Sequence, residues 1–233
     1  KFIWFSHGHP DHINPISLKR FLGKKIFLPD HYGSRIYKDL IAENFDVEIL
    51  KDKKWYNLSE NIKIQCVTNL LQDSILLIEV DKRLFINLND AGTKYYEKYI
   101  KNLTKNYKEN YLLSLSGYGD ADMINFFSES GKKITKSKVD KVPPGKQLSD
   151  MCETIGANNI IPFSSFHQYQ RADSVWAQSI TVDNDEYKDG VSEKINFIEP
   201  FSIIDCKNGK TESIKPNKII PKIKSPEEFG DNW

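Results

Sequence analysis

Hydrophobic and polar positions follow two different rhythms along this chain. In the first fifty residues, short apolar runs alternate with helical spacing. Phe2-Ile3-Trp4-Phe5 reads as a buried strand, and Ile13 to Leu22 as a helix that stops at Gly23. Lys25 to Leu28 reads as a second strand closed by Pro29-Asp30. Gly33 to Asn44 reads as a helix with Ile36, Leu40 and Ile41 on one face, and Val47 to Leu50 as a third strand. Strands that alternate with helices imply a layered α/β arrangement.

From Trp55 to Val80 the rhythm changes to strands. Ile62 to Val67 alternates, so one face is buried, while Ser74 to Val80 is apolar enough for a central position. Leu84 to Leu88 adds a further strand ending at Asn89-Asp90-Ala91-Gly92. This meander predicts the second half of a sheet sandwich. Thr93 to Lys108 reads as a helix, with Tyr96, Ile100 and Leu103 as an apolar stripe that packs rather than binds. Tyr111 to Leu115 is a strand that runs into the polar loop Ser116 to Asp122. Residues 129 to 146, rich in lysine, read as an exposed connection. Gln147 to Ile155 is a helix ending at Gly156, and Asn159 to Phe163 a strand. Residues 168 to 190 look like a polar insertion near the site, anchored by Trp176. Ile195 to Ile204 reads as strand and turn, and the tail as polar and broken by prolines.

Composition narrows the function classes. The chain has 233 residues, 39% hydrophobic and 12% aromatic, enough for a real core. A formal net charge of +1 supplies no field that favours nucleic acid or a membrane surface. The arginines are Arg20, Arg35, Arg83 and Arg171, which leaves few bidentate phosphate clamps. Cys66, Cys152 and Cys206 are far apart and form no CxxC pair, so neither a zinc ribbon nor a disulfide framework is expected. That usage fits a reducing cytoplasm. No apolar run approaches the roughly 20 residues that span a bilayer.

The chemistry concentrates in Ser6-His7-Gly8-His9-Pro10-Asp11-His12, on a strand-to-helix turn. Imidazole and carboxylate are ligands for zinc, iron and manganese. His7 and His9, two apart, can point the same way, and Asp11 and His12 then swing to a neighbouring position. The pattern predicts two half-sites, close enough for two ions. His31, in Pro29-Asp30-His31-Tyr32-Gly33, is either a rim residue near this site or a surface or helix-start histidine; no other ligand type is placed to join it, which favours the second.

The run His7-x-His9-x-Asp11-His12 after an apolar strand resembles the signature of the metallo-beta-lactamase fold superfamily. The order of later motifs is most similar to the branch of CMP-N-acetylneuraminate hydroxylase and L-ascorbate-6-phosphate lactonase. That order includes Asp73-Ser74 entering a strand, Asp90, Ser116 to Gly119, Pro162-Phe163 and Glu227 to Trp233. The resemblance implies a four-layer αββα sandwich in one domain over residues 1–233. Because the chain starts at Lys1 and almost at once enters a strand, the first strands of that fold, and any upstream domain or chain, are expected to lie outside it.

By the same resemblance, His7, His9, Asp11, His12 and Asp90 are metal ligands, and Asp11 and His12 carry catalysis; His167, three residues beyond the position the family uses, is the candidate for the last metal ligand, with substrate binding or a place outside the coordination sphere as its alternatives. Asn69, Tyr118 and Ser164 would contact a small-molecule substrate. Asn69 stands where the family carries a further histidine, and Ser164 follows Pro162 where the family carries another. The first metal position is therefore expected to be weakened, vacant or filled by a different ion. One or two divalent ions are implied, zinc foremost, with iron or manganese as alternatives. The leading expectation is a hydrolase that directs a metal-bound hydroxide at an ester, lactone or phosphoester bond. The alternatives are an iron-dependent oxygenase, as in the sugar-nucleotide hydroxylase branch, and a binding module whose site has decayed.

Overall fold

The computed structural model describes residues 1–9, 12–115, 126–134, 142–163, 166, 168–182, 185–215, 217 and 222–229. The apolar runs at the front become β1 (Phe2–Trp4), β2 (Lys25–Pro29) and β3 (Asp46–Leu50), a parallel sheet in the order β1-β2-β3. The crossovers carry α1 (Pro15–Leu18) with a 3-10 turn over Lys19–Phe21, and α2 (Arg35–Ala42). The first helix starts two residues later than its spacing predicts. Asn14 caps it, its Oδ1 accepting from the backbone N–H groups of Ile16 and Ser17.

The meander becomes β4 (Trp55–Ser59), β5 (Ile62–Thr68), β6 (Ser74–Val80) and β7 (Arg83–Asn89), paired antiparallel. After α3 (Glu97–Thr104), β8 (Asn110–Ser114) joins β7 in parallel. A hairpin pairs β9 (Phe126–Phe127), just ahead of the stretch expected to be an exposed connection, with β10 (Lys133–Ile134) inside it. Then α4 (Pro144–Ile155), closed by Gly156 in the left-handed region, leads to β11 (Asn159–Pro162). With β12 (Asn196–Phe197) this makes a seven-stranded sheet in the order β12-β11-β8-β7-β6-β5-β4. A small ladder of β13 (Ser202–Ile204) and β14 (Thr211–Ser213) follows.

Side-chain alternation explains the layering. On β2, Ile26 and Leu28 face the α1 and α2 side with Leu18, Leu40 and Phe45, while Phe27 faces the seven-stranded sheet with Leu50, Ile64, Cys66 and Leu76. On the far side of that sheet, Ile75, Leu77, Leu84, Ile86 and Leu88 meet Tyr96 and Ile100 of α3 and Leu148, Cys152 and Ile155 of α4. The order is therefore helix, sheet, sheet, helix, the four-layer arrangement expected. The stripe Tyr96, Ile100 and Leu103 packs as its spacing requires.

Residues 168–190 depart from the expected polar insertion. Tyr187 is fully buried against Phe166, and Val182 is buried in the same core, whereas Trp176 is partly exposed. The segment completes the packing of α4, a role that its polar composition conceals. No helix among the described residues is long and apolar enough to cross a membrane.

Candidate metal centre

The opening motif leaves the parallel sheet at the carboxyl end of β1. Phe5 still pairs with it, its N–H donating to the Phe27 carbonyl at 3.1 Å. Ser6 then ties the two sheets together: Ser74 Oγ donates to its backbone oxygen at 2.5 Å, and Asn89 Nδ2 donates to its hydroxyl. Gly8 is required by close approach, since a Cβ there would stand 2.6 Å from Ile36 Cδ1 of α2. The N–H groups of His12 and Ile13 both donate to the His9 carbonyl, at 3.0 and 2.9 Å, so the chain folds back on itself.

That turn gathers the rings. His7 and His9 have centroids 4.4 Å apart, and His7 and His12 4.2 Å. The carboxylate arrives from the other sheet. Between Asn87 and Asn89 the register of β7 on β8 shifts, and Asn89 takes the left-handed conformation at φ 50° while its N–H donates to Asn87 Oδ1. This bend ends the strand and delivers Asp90, whose Oδ2 lies 3.0 Å from His12 Nε2 and 3.5 Å from His7 Nε2. His7 Nε2 lies 2.8 Å from His9 Nδ1. Ligand atoms of His7, His9 and Asp90 all fall within 4.8 Å of one another.

Burial differs within the cluster. His7 is buried, and desolvation, with the nearby His12 and His9 rings, lowers its pKa below the ordinary imidazole value. Its neutral form, the one that binds metal, is thereby favoured. Ser6 Oγ sits 2.9 Å from His7 Nδ1 and fixes that ring from behind, leaving Nε2 toward the cluster. His9 and Asp90 are exposed, so the donors open to solvent on one side. Nitrogen and carboxylate donors without a thiolate fit a divalent zinc, iron or manganese ion.

The other expected site residues divide. Asp11, Tyr118, Ser164 and His167 lie outside the described residues. Asn69 turns its Oδ1 into its own loop, where it accepts from Leu71 N–H at 2.8 Å and Asp73 N–H at 3.1 Å. His31, favoured by the sequence as a helix-start residue, lines a cavity with His7 and His9. Its Nε2 lies 3.4 Å from the Asp73 carbonyl, and burial lowers its pKa. The braces Ser74 and Asn89 escaped sequence reading, because short polar residues at strand ends read equally well as turns.

No protein-family model matches the chain, and no curated protein matches it. Solved structures similar to it include the metallo-beta-lactamase fold protein YhfI from Bacillus subtilis. The identity is 13%, 85% of this chain and 75% of that one are covered, and the TM-score is 0.43. CmlA, a diiron beta-hydroxylase from Streptomyces venezuelae, is similar at 10% identity over 84% of this chain and 38% of that one, with a TM-score of 0.45. A diphosphatase from the PhnP family is similar at 14% identity over 92% and 71%, with a TM-score of 0.42. The likenesses are distant, and the chemistry below rests on this chain's own side chains.

Proposed function

We propose that the chain is a metal-dependent hydrolase acting on an ester, lactone or phosphoester bond of a small molecule, with zinc the leading metal. His7, His9, His12 and Asp90 are its ligands among the described residues; Asp11 remains in the set on the strength of the motif, and His167 on the family resemblance alone. The observation that carries this reading is the convergence of three imidazoles and one carboxylate from two sheets. A divalent ion held there supplies an activated water near neutral pH and polarises the oxygen under attack.

The chain's own groups then have separable tasks. Ser6 and Asn89 orient His7, and burial keeps it neutral. Asp90 spans His12 and His7, which fixes both rings and offsets positive charge at the centre. The exposed side at His9 and Asp90 admits water and substrate. The three free cysteines, two of them buried, suit a reducing compartment, so a cytoplasmic location belongs to the same proposal.

A second reading keeps the site and changes the reaction. Two histidines and one carboxylate within 4.8 Å also match the ligand set of non-haem iron oxygenases. One experiment separates the two. Zinc-loaded and iron-loaded protein are each assayed on p-nitrophenyl acetate, a γ-lactone and bis-p-nitrophenyl phosphate, with and without oxygen. The hydrolase reading predicts oxygen-independent turnover with zinc, reduced about 100-fold or more by His12→Ala or Asp90→Ala. Failure of all three substrates with metal bound, or turnover only with iron and oxygen, contradicts it.

A further inference from the structure

We propose that the substrate of this centre is amphiphilic, with an apolar arm of about six or more carbons seated in the cavity beside the histidines. The inference rests on the metal-centre reading and adds the class of substrate to it. The cavity has a volume of about 1020 Å³, at the upper end of the range ligand pockets occupy. His7 and His9 form part of its wall, so it is continuous with the candidate centre. Phe5 and Leu18 from the core beneath, with Ile36 and Leu40 of α2, supply apolar wall, and the charged side chains of Lys19, Arg35, Asp39 and Glu43 line the space as well. His31, whose ring approaches the Asp73 carbonyl, lines the cavity with His7 and His9. A space that adjoins the histidines and offers apolar wall from Phe5, Leu18, Ile36 and Leu40 suits a molecule with a reactive head and a hydrocarbon arm.

The rim supplies a second, independent observation. Three large apolar side chains from two separate loops border the cavity while facing water: Tyr32 is 94% exposed, Leu70 100% and Leu71 64%. Single exposed leucines are ordinary, but adjacent ones at a pocket mouth mark a surface that is covered in use. Nor are these leucines on a loose tip. Asn69 N–H donates to the Asp73 carbonyl at 3.1 Å, and Asn69 Oδ1 holds Leu71 and Asp73. Gln72, at φ 64°, takes the left-handed turn that closes the loop. The loop is built to present Leu70 and Leu71, and an arm entering the cavity passes between them and Tyr32.

The test uses the full chain and the neutral alcohols hexanol, octanol and decanol, which carry no metal-seeking head group. Binding is measured by calorimetry on metal-free protein, and metal uptake is measured in parallel on the same preparation. The proposal predicts affinity that rises about fourfold for each added methylene. The double substitution Leu70→Ser with Leu71→Ser, on the exposed turn, should weaken octanol binding roughly tenfold without changing metal uptake. Affinity that does not depend on chain length overturns the proposal and leaves the metal centre standing. So does a substitution that leaves alcohol binding intact but abolishes self-association in sedimentation, since the leucines would then cover a second copy. Chain-length dependence without metal uptake removes the hydrolase reading and, with it, the assignment of the cavity to a substrate.

Discussion

At the residue scale, the same physical variable, burial, assigns opposite fates to the histidines and the cysteines. His7 is buried among other rings and is held neutral, ready to donate a lone pair. Cys66 is buried between the sheets, and desolvation pushes its thiol up to about 12; Cys152, on the buried face of α4, is raised as well. Thiolate is the reactive form, so neither is a nucleophile in the folded chain. Cys206 is only partly buried, its pKa also raised by desolvation. Iodoacetamide at pH 8 should therefore modify Cys206 first, read by peptide mass spectrometry, and comparable labelling of Cys66 or Cys152 contradicts the packing. The sign of the linkage follows. Unfolded thiols ionise near pH 8.5, whereas Cys66 in the fold ionises near 12. The folded state thus binds the proton more tightly, and its stability declines as pH rises above about 8.5.

Secondary structure was legible in the sequence wherever alternation or spacing was uninterrupted. Strands β5, β6 and β7 lie within one or two residues of the predicted runs, because each has one or both faces in a core. The stripe on α3 and the stop of α4 at Gly156 were equally plain. Helix starts were less so, since Asn14 caps the first helix from inside the predicted span. Residues 168–190 misled, because Tyr187 earns its burial from α4 and Phe166, contacts that no local pattern announces. Gly8 belongs to this scale, since its missing Cβ lets the metal turn sit on α2. Gly8→Ala should cost about 1 kcal/mol in urea unfolding, at the low end of overpacking because the obstacle is the end of the flexible Ile36 side chain. Adding Ile36→Val should recover part of that loss. A double variant no better than Gly8→Ala contradicts the close approach as the cause.

At the scale of the whole molecule, two sheets of different length meet so that the carboxyl ends of β1 and β7 face one another. The near-sequence half of the site, His7, His9 and His12, was visible as a dense run of ligands. Asp90 was visible only by analogy with the resembled family, because its 78-residue separation from His12 is closed by sheet packing rather than by any local signal. The cavity was not visible at all; it arises where the turn, α1, α2 and the β5–β6 loop leave space between them. All of the proposed chemistry depends on the imidazoles and that carboxylate acting as one ligand set. The most direct test is metal content by plasma mass spectrometry after dialysis against zinc, for the wild type and for His9→Ala and Asp90→Ala, both on the exposed side of the cluster. The account predicts at least about one ion per chain in the wild type, with nitrogen ligands near 2.0–2.1 Å by X-ray absorption, and a clear loss in each variant. A wild type that takes up no ion, or variants that retain the full complement, would contradict it.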